Sequence, residues 1–572
     1  MILYTHERDS GGIPRGGHCH FSRTHMDCAP AALVALRAVA TECIAFAAGF
    51  GDGEAAEGLA ITDELRALFQ RAAASLAAEG MTAQSLELLT VVPPEILSTI
   101  MSQLDIRALA RLAATCRLLW CDSPTPPPSL PMPGLVEMEL RRRAAARGLS
   151  IGASLPEGAL SWVSYLLQRD LLDALRRHAP LAVDEMHLGS PRSIFVDREC
   201  RLHLDCRRGE IKAGEVGAPL LGHAFGLASG DSTVPVPPTL VLSMQDKRIV
   251  SVATGCHCLA LSAEGEVYSW GTGSYGALGH ADESVKAGPR KIETLTHVES
   301  IAAGAFMSAA VDDRGRLFTW GRGAFLAGET YGLGYELDPA TELQLIPKRV
   351  DALSEDRVVG VALGHCTTLA VTDAGAVFSF GQSRHGSLGH GLFTSEVLPR
   401  RIEALTETGR RFVAVAAGQD HSLALTEEGH VYGWGDGLAN GHGQEQRTPQ
   451  RVVALAGVRV LLVYARDSAS CAVTERGELY TWGDGDLTSF NLGHMVDAPQ
   501  PTPKRVEALS RVKVAGAAIC ETHTLAAGAD GVVWGFGERT ALGLGEADTP
   551  PGDFVVQPTP IPNLRVRTLP LP

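Results

Sequence analysis

Ala414-Val415-Ala416-Ala417-Gly418-Gln419-Asp420-His421-Ser422-Leu423-Ala424-Leu425-Thr426-Glu427-Glu428-Gly429-His430-Val431-Tyr432-Gly433-Trp434-Gly435 decides the fold of this 572-residue chain. It reads as three short strands joined by two tight turns. Leu423 and Leu425 alternate with small residues, the pattern of a half-buried strand rather than a helix. Gly429 closes a hairpin tip, where positive φ is needed. Variants recur from about residue 183 to the C-terminus. The Trp-Gly landmark falls at Trp270, Trp320, Phe380 (in place of Trp), Trp434, Trp482 and Trp534, in steps of roughly 50 residues, the spacing of propeller blades. Tip glycines precede each landmark: Gly265, Gly315, Gly375, Gly429, Gly477 and Gly531. Small residues upstream, as in Ala302-Ala303-Gly304, suit an innermost strand beside a narrow channel. Each unit closes with a proline-led strand such as Pro503 to Leu509, and proline is tolerated on an outer edge.

These residues resemble the regulator-of-chromosome-condensation repeat, carried by Gly418 to Leu425, Gly429 to Gly435, Leu278-Gly279-His280, Leu388-Gly389-His390 and Leu492-Gly493-His494. Six units are plain. A degenerate seventh aligns Asp184 to Val196 with Val413 to Leu425, followed by Leu221-Gly222-His223 and an outer strand over Pro238 to Leu242. The resemblance implies a mainly β fold, a seven-bladed β-propeller over 182–572. Its last outer strand, Pro558 to Leu564, is expected to close the ring beside the unit that starts near Val183.

Composition narrows the function. A net charge of −15 and a pI near 5.7 argue against a general nucleic-acid binder, which needs basic surface. Twelve cysteines show no Cys-x-x-Cys pair, so free thiols in a reducing compartment are expected, without metal. The N-terminal residues lack a basic and then apolar leader, and no apolar run approaches the roughly 20 residues of a membrane span. A cytoplasmic or nuclear location is expected.

Ahead of the repeats the reading is a disordered segment over 1–28 and a helical segment over 29–90. Residues 91–121 follow as a helical hairpin. Pro93 and Pro94 open its first helix, where a missing N–H costs least, and Glu95, Ile96, Leu97, Ile100 and Leu104 follow. Leu109 and Leu112 lie on a second helix that ends at Trp120. This hairpin resembles an F-box, with Val92 where leucine is commoner. The resemblance implies docking to a Skp-type linker of a cullin-based ubiquitin ligase. A Pro-rich linker over 122–134 should be extended, and 135–181 reads as a helical connector.

Signals of chemistry inside the repeats are weak. Gly271-Thr272-Gly273-Ser274-Tyr275-Gly276 matches a dinucleotide fingerprint but lacks a following helix. No catalytic constellation, cofactor or metal site is expected. The resemblances imply a non-enzymatic adaptor: the F-box binds the linker protein and the propeller holds an unknown protein substrate. The alternatives are a guanine-nucleotide exchange factor for a Ran-type small GTPase, and a plain interaction scaffold. An ultraviolet-B photoreceptor of this fold would need Gly-Trp-Arg-His-Thr motifs, which are absent. Target binding is expected on the face bearing the long loops after Trp-Gly. Tyr331 and Tyr335 supply exposed aromatics there. Arg322, Arg384 and His385 form a basic sector, and Asp436, Asp484 and Asp486 an acidic one.

Overall fold

The computed structural model of the chain describes residues 141–142, 169, 172–173, 176–177, 181–183, 193–196, 200–205, 239–322, 332–337, 343–484, 489–539, 542, 554–566 and 568. The chain divides into two compact units, Met1–Glu139 and Leu140–Pro572, and the described residues lie in the second.

Seven four-stranded antiparallel sheets follow one another, each with its strands in sequence order. The leading sheet holds β1 (Leu181–Val183), β2 (Ser193–Val196), β3 (Leu202–Asp205) and β4 (Thr239–Leu240). Six blades follow. Blade 1 is β5 (Ile249–Thr254), β6 (His257–Ser262), β7 (Val267–Gly271) and β8 (Lys286–Lys291). Blade 2 is β9 (Val298–Ala303), β10 (Met307–Asp312), β11 (Leu317–Gly321) and β12 (Gln344–Arg349). Blade 3 is β13 (Val358–Leu363), β14 (Thr367–Thr372), β15 (Val377–Gly381) and β16 (Glu396–Arg401). Blade 4 is β17 (Phe412–Ala417), β18 (His421–Thr426), β19 (Val431–Gly435) and β20 (Gln446–Arg451). Blade 5 is β21 (Val460–Arg466), β22 (Ala469–Thr474), β23 (Leu479–Gly483) and β24 (Gln500–Arg505), and blade 6 is β25 (Val514–Ile519), β26 (His523–Gly528), β27 (Val532–Glu538) and β28 (Phe554–Arg565).

The expected seven-bladed count is corrected to six blades of the repeat type. The leading sheet is not a repeat blade: its strands run only 3, 4, 4 and 2 residues. Its outer strand pairs only through His203 with Leu240 and Leu204 with Thr239. Strands this short bury little apolar surface of their own, and Ile194, Val196 and Leu202 share one core with Val252, Cys258 and Trp270 of blade 1. β1 packs on β5 of blade 1 and on β25 of blade 6, so the sheet lies between the last blade and the first. The α-helical module with an F-box is also not shown: residues 91–121 lie outside the described residues, and with them Pro93, Pro94, Glu95, Ile96, Leu97, Ile100, Leu104, Leu109, Leu112 and Trp120.

The cores lie between blades. Leu259, Leu261 and Val267 of blade 1 pack with Ile301, Ala310 and Trp320 of blade 2, so a unit cannot bury its apolar face alone. The repeat signature is a hydrogen-bond device on the same seam. Ser308 and Trp320 are cross-strand partners, and Ser308 Oγ and Trp320 Nε1 both donate to Ala277 O of the preceding blade, each at 2.8 Å. Ser422 and Trp434 converge on Ser387 O, and Ser470 and Trp482 on Ala439 O. The Leu-Gly-His histidines close their own blades: His280 Nε2 lies 2.9 Å from Ser269 Oγ, with the same distance for His390 and Ser379. The Trp534 landmark shifts by two residues. Phe536 pairs with Thr524, as Trp482 pairs with Ser470, and Trp534 takes the place of Tyr480.

Replacing Trp320 by Phe is expected to cost about 1 kcal/mol, because Ser308 still satisfies the carbonyl. Blade 3 already works this way, with Phe380 at the Trp position and Thr368 Oγ1 alone donating to Gly332 O at 2.7 Å. Adding Ser308→Ala should raise the cost to about 2–4 kcal/mol, since the buried carbonyl is then orphaned. Urea unfolding of the two variants separates the steps, and equal midpoints would refute the shared-acceptor account.

Candidate interaction site on the loop face

Antiparallel strands put the turns that follow the innermost strands and the loops that follow Trp-Gly at one end of the ring, the loop face. The hairpin tips with Gly265, Gly315, Gly375, Gly429, Gly477 and Gly531 lie at the other, the turn face. At the seam of blades 1 and 2 the loop face carries an aromatic–cation cluster. Tyr275 and Phe306 meet edge to face with centroids 5.0 Å apart, and the Arg322 guanidinium lies 4.8 Å from the Tyr275 ring centroid. Arg322 N donates to Phe306 O at 2.9 Å, which fixes the base of the cluster. Tyr275 sits at φ 61, a conformation that costs a non-glycine residue energy and that concentrates at functional sites.

The equivalent loop position on blade 3 is His385, also left-handed at φ 47. Its Nδ1 lies 3.2 Å from Glu445 Oε2, and Arg447 Nε donates to Glu445 Oε1 at 3.2 Å. Arg447 in turn stacks 4.2 Å over the ring of Phe393, which is half exposed beside exposed Leu392. Arg384 is exposed and faces Asp420 electrostatically. Burial raises the Asp420 carboxyl above its ordinary range, against Arg384, His385 and His365. The expected basic sector is therefore interleaved with acids from the next blade.

Asp436 and Asp484 are half-buried and hold their own loops: Asp436 Oδ2 accepts Leu438 N at 3.0 Å, and Asp484 Oδ1 accepts Ser489 Oγ at 2.8 Å. Tyr335 is not an exposed aromatic. It is buried, its hydroxyl donates to Thr319 O at 2.8 Å, Lys348 lies over its ring, and burial raises its pKa well above the ordinary value. Tyr331 and Asp486 lie outside the described residues. Tyr275, Phe306, Phe393 and Arg447 were not singled out from sequence. The available signal was that Tyr275 and His385 fill the same place in two repeats.

One side chain reaches across the ring at this face. Gly255, Gly304, Gly364 and Gly418 end the innermost strands of blades 1 to 4, and a Cβ on any of them would strike backbone of the next blade. Arg466 occupies that place on blade 5. Its Nη1 donates across the ring to Thr254 O at 3.1 Å and Ala303 O at 3.2 Å. Asp467 is buried beneath it, with Oδ1 3.3 Å from His365 Nε2. Burial pushes this carboxyl up, but His365 and Arg466 outweigh it and hold it below its ordinary pKa.

Among the described residues no group of three or more His, Cys, Asp or Glu could hold a metal ion, and no helix is long and apolar enough to cross a membrane. The loop from Gly271 to Gly276 closes a single 3-10 turn over Ser274–Gly276, not the helix a dinucleotide site needs.

A family model described as the RCC1-like domain matches residues 209–569. This chain belongs to that family. Human HERC2, an E3 ubiquitin-protein ligase, is 38% identical over 373 residues, which cover 63% of this chain and 7% of that protein. The Arabidopsis thaliana ultraviolet-B receptor UVR8 is 36% identical over 216 residues, 37% of this chain and 47% of the receptor. The chain therefore aligns with less than half the length of either relative. Among solved structures, Prp20p of Saccharomyces cerevisiae superposes with a TM-score of 0.51 at 24% identity, covering 64% of this chain and 87% of that one. Human WBSCR16 gives 0.50 at 21% identity, covering 62% and 87%. These two likenesses are of fold.

Proposed function

We propose that this chain is a protein-binding propeller that holds its partner on the loop face, and that the partner is a small GTPase of the Ran type on which it promotes nucleotide exchange. The Tyr275–Phe306–Arg322 cluster carries the reading. Tyrosine and arginine on a rigid, strained support are the residues from which interface hot spots are built, and nucleotide exchange asks for contact rather than a catalytic group. Family membership supports it, and so does the kinship in fold with Prp20p, whose structural study reports binding to Gsp1p and histones. The test is release of fluorescent GDP from a Ran-type GTPase mixed with the full chain. Accelerated release is expected, with Arg322→Glu slowing it about tenfold, the size of a loss of about 1.4 kcal/mol. Release at the intrinsic rate would sink the exchange reading.

A second reading is a recruiting subunit of a ubiquitin ligase. Its support is the 38% identity with part of a protein named as an E3 ligase, together with the F-box-like residues Pro93 to Trp120. Here a Skp-type protein should co-purify with the chain, and Leu97→Asp with Ile100→Asp should abolish it. Unchanged co-purification would remove this reading.

A further inference from the structure

The turn face carries a basic residue at the start of every blade. The residue before each innermost strand is Arg248, His297, Arg357, Arg411, Arg459 or Lys513. In blades 3 to 5 this arginine packs its aliphatic stem over the tip glycine of the preceding blade. Arg357 Nη2 donates to Asp313 O and Arg411 Nη2 to Asp373 O, both at 2.6 Å. The helical residues Arg169, Leu172, Asp173, Arg176 and Arg177 lie on one helix face by their spacing. Leu172 packs into the core with Leu461 and Leu462, and Arg177 pairs with Glu299 at 2.7 Å.

Between these helical residues and the strand ends of blades 2 to 4 lies a cavity of about 50 Å³. Its charged lining is Arg176, Arg177, Arg357 and Arg411 against Asp173, Glu299 and Asp312. The three carboxylates already have cations: Asp173 lies 3.8 Å from Arg176, Glu299 pairs with Arg177, and Asp312 accepts from Arg316 Nε at 2.6 Å. Arg357 and Arg411 are left over, and Arg176 has only the long contact with Asp173 among these carboxylates. Among the described residues Arg357 bonds only a backbone carbonyl, and its buried Nε has no hydrogen-bond partner. Arg411 reaches Glu427 only at 3.8 Å, a carboxylate that Arg169 also approaches at 3.8 Å. Arg176 is buried with a long 3.5 Å bond to Leu461 O, and desolvation brings its pKa down to about 10 against too little opposing charge.

We propose that this cavity is a binding site for a phosphate-class oxyanion, held by Arg357, Arg411 and Arg176. Guanidinium forks match tetrahedral oxyanions through paired N–H donors. The volume would hold a few waters, room for a phosphate group but not for a nucleotide. A carboxylate is the weaker candidate, because the lining already supplies three. The phosphate could be free or borne by a phosphorylated side chain.

The test is calorimetric titration of the full chain, at fixed ionic strength, with inorganic phosphate, O-phosphoserine and acetate. Saturable binding of inorganic phosphate is expected, weakened about tenfold or more in Arg357→Gln/Arg411→Gln. Arg459→Gln, which alters the equivalent position one blade on but outside the cavity, should bind as the wild type does. Binding by phosphoserine alone assigns the esterified source. Arg357→Lys/Arg411→Lys keeps both charges, and a folded Lys variant with weakened binding establishes that the fork geometry is required. Absence of saturable binding by either phosphate probe, binding of acetate as tight as phosphate, or full binding by the folded Gln double variant would each overturn the proposal.

Discussion

Replacing Arg466 with alanine is expected to destabilise the propeller by about 3–5 kcal/mol, the cost of removing one member of a buried charged pair. Three losses combine. The carbonyls of Thr254 and Ala303 lose the donor that ties blades 1 and 2 to blade 5 across the ring. Asp467 loses the cation that lies 3.8 Å from it, while its own side chain is 1% exposed. The space vacated by a guanidinium in the channel is left to water. Lysine at 466 keeps the charge but offers a point donor instead of a fork, so Arg466→Lys should recover only part of the loss. Adding Asp467→Asn to the alanine variant should restore some stability, because the stranded charge is removed. Urea midpoints at neutral pH measure all three. An alanine variant that unfolds with the wild type would mean that the cross-channel bonds contribute nothing.

The prominence of Arg466 could not be read from the repeat pattern, although its position could. Aligning Ser470 with Ser422 places Arg466 on Gly418, so the departure from glycine is visible. What it reaches is not, because Thr254 and Ala303 lie 212 and 163 residues away in sequence. The blade boundaries were legible because glycine tips and Trp-Gly landmarks have local causes, a positive φ and a cross-strand donor. Blade 6 misled because Trp534-Gly535-Phe536-Gly537 offers the landmark twice, and register alone chooses Phe536. The leading sheet misled for a different reason. Matching residues do not reveal that their strands are too short to make a repeat blade. Tyr335 was expected on the surface because it lies in the longest loop after Trp-Gly, yet the chain returns there to cover Thr319. Aromatic residues in loops can serve either face of a protein, and only tertiary packing decides. The same limit applies to Tyr275, whose ring meets Phe306 of the next blade.

Acid is expected to weaken this protein through two buried histidines on the blade seams, His257 and His421. His257 Nε2 lies 2.5 Å from Ser308 Oγ, and His421 Nε2 lies 2.7 Å from Ser470 Oγ. Each serine gives its own proton to a carbonyl, of Ala277 and Ala439 respectively, so each imidazole must donate from Nε2, and in the neutral form that burial favours Nδ1 carries no proton. The Nδ1 of His257 is buried with no hydrogen-bond partner, so protonation there would place an unsolvated charge on a blade seam. Burial brings both pKa values down to about 3, assisted at His257 by Arg466 and opposed at His421 by Asp467. In the unfolded chain a histidine titrates near 6.5. Above about pH 6.5 neither state binds the proton and stability is level. As pH falls from there toward the folded value, only the unfolded chain binds it, so stability drops. The loss is about 2 kcal/mol per histidine at about pH 5, or about 4 kcal/mol for the pair. The window is separable from carboxylate effects, because Glu266 and Asp282, held near 2 chiefly by bonds to Lys247 and Lys286, begin to weaken the fold only below about pH 4.5. Glutamine can donate a similar hydrogen bond without titrating. Burial also lowers His390, to about 4, and His280, His430, His442 and His494, so these share the window. The variant His257→Gln/His421→Gln should therefore lose the pair's share of the dependence between about pH 6.5 and 5, whatever its stability at neutral pH. Urea midpoints measured across that range decide it, and a slope in the variant equal to the wild type's would place the acid sensitivity elsewhere.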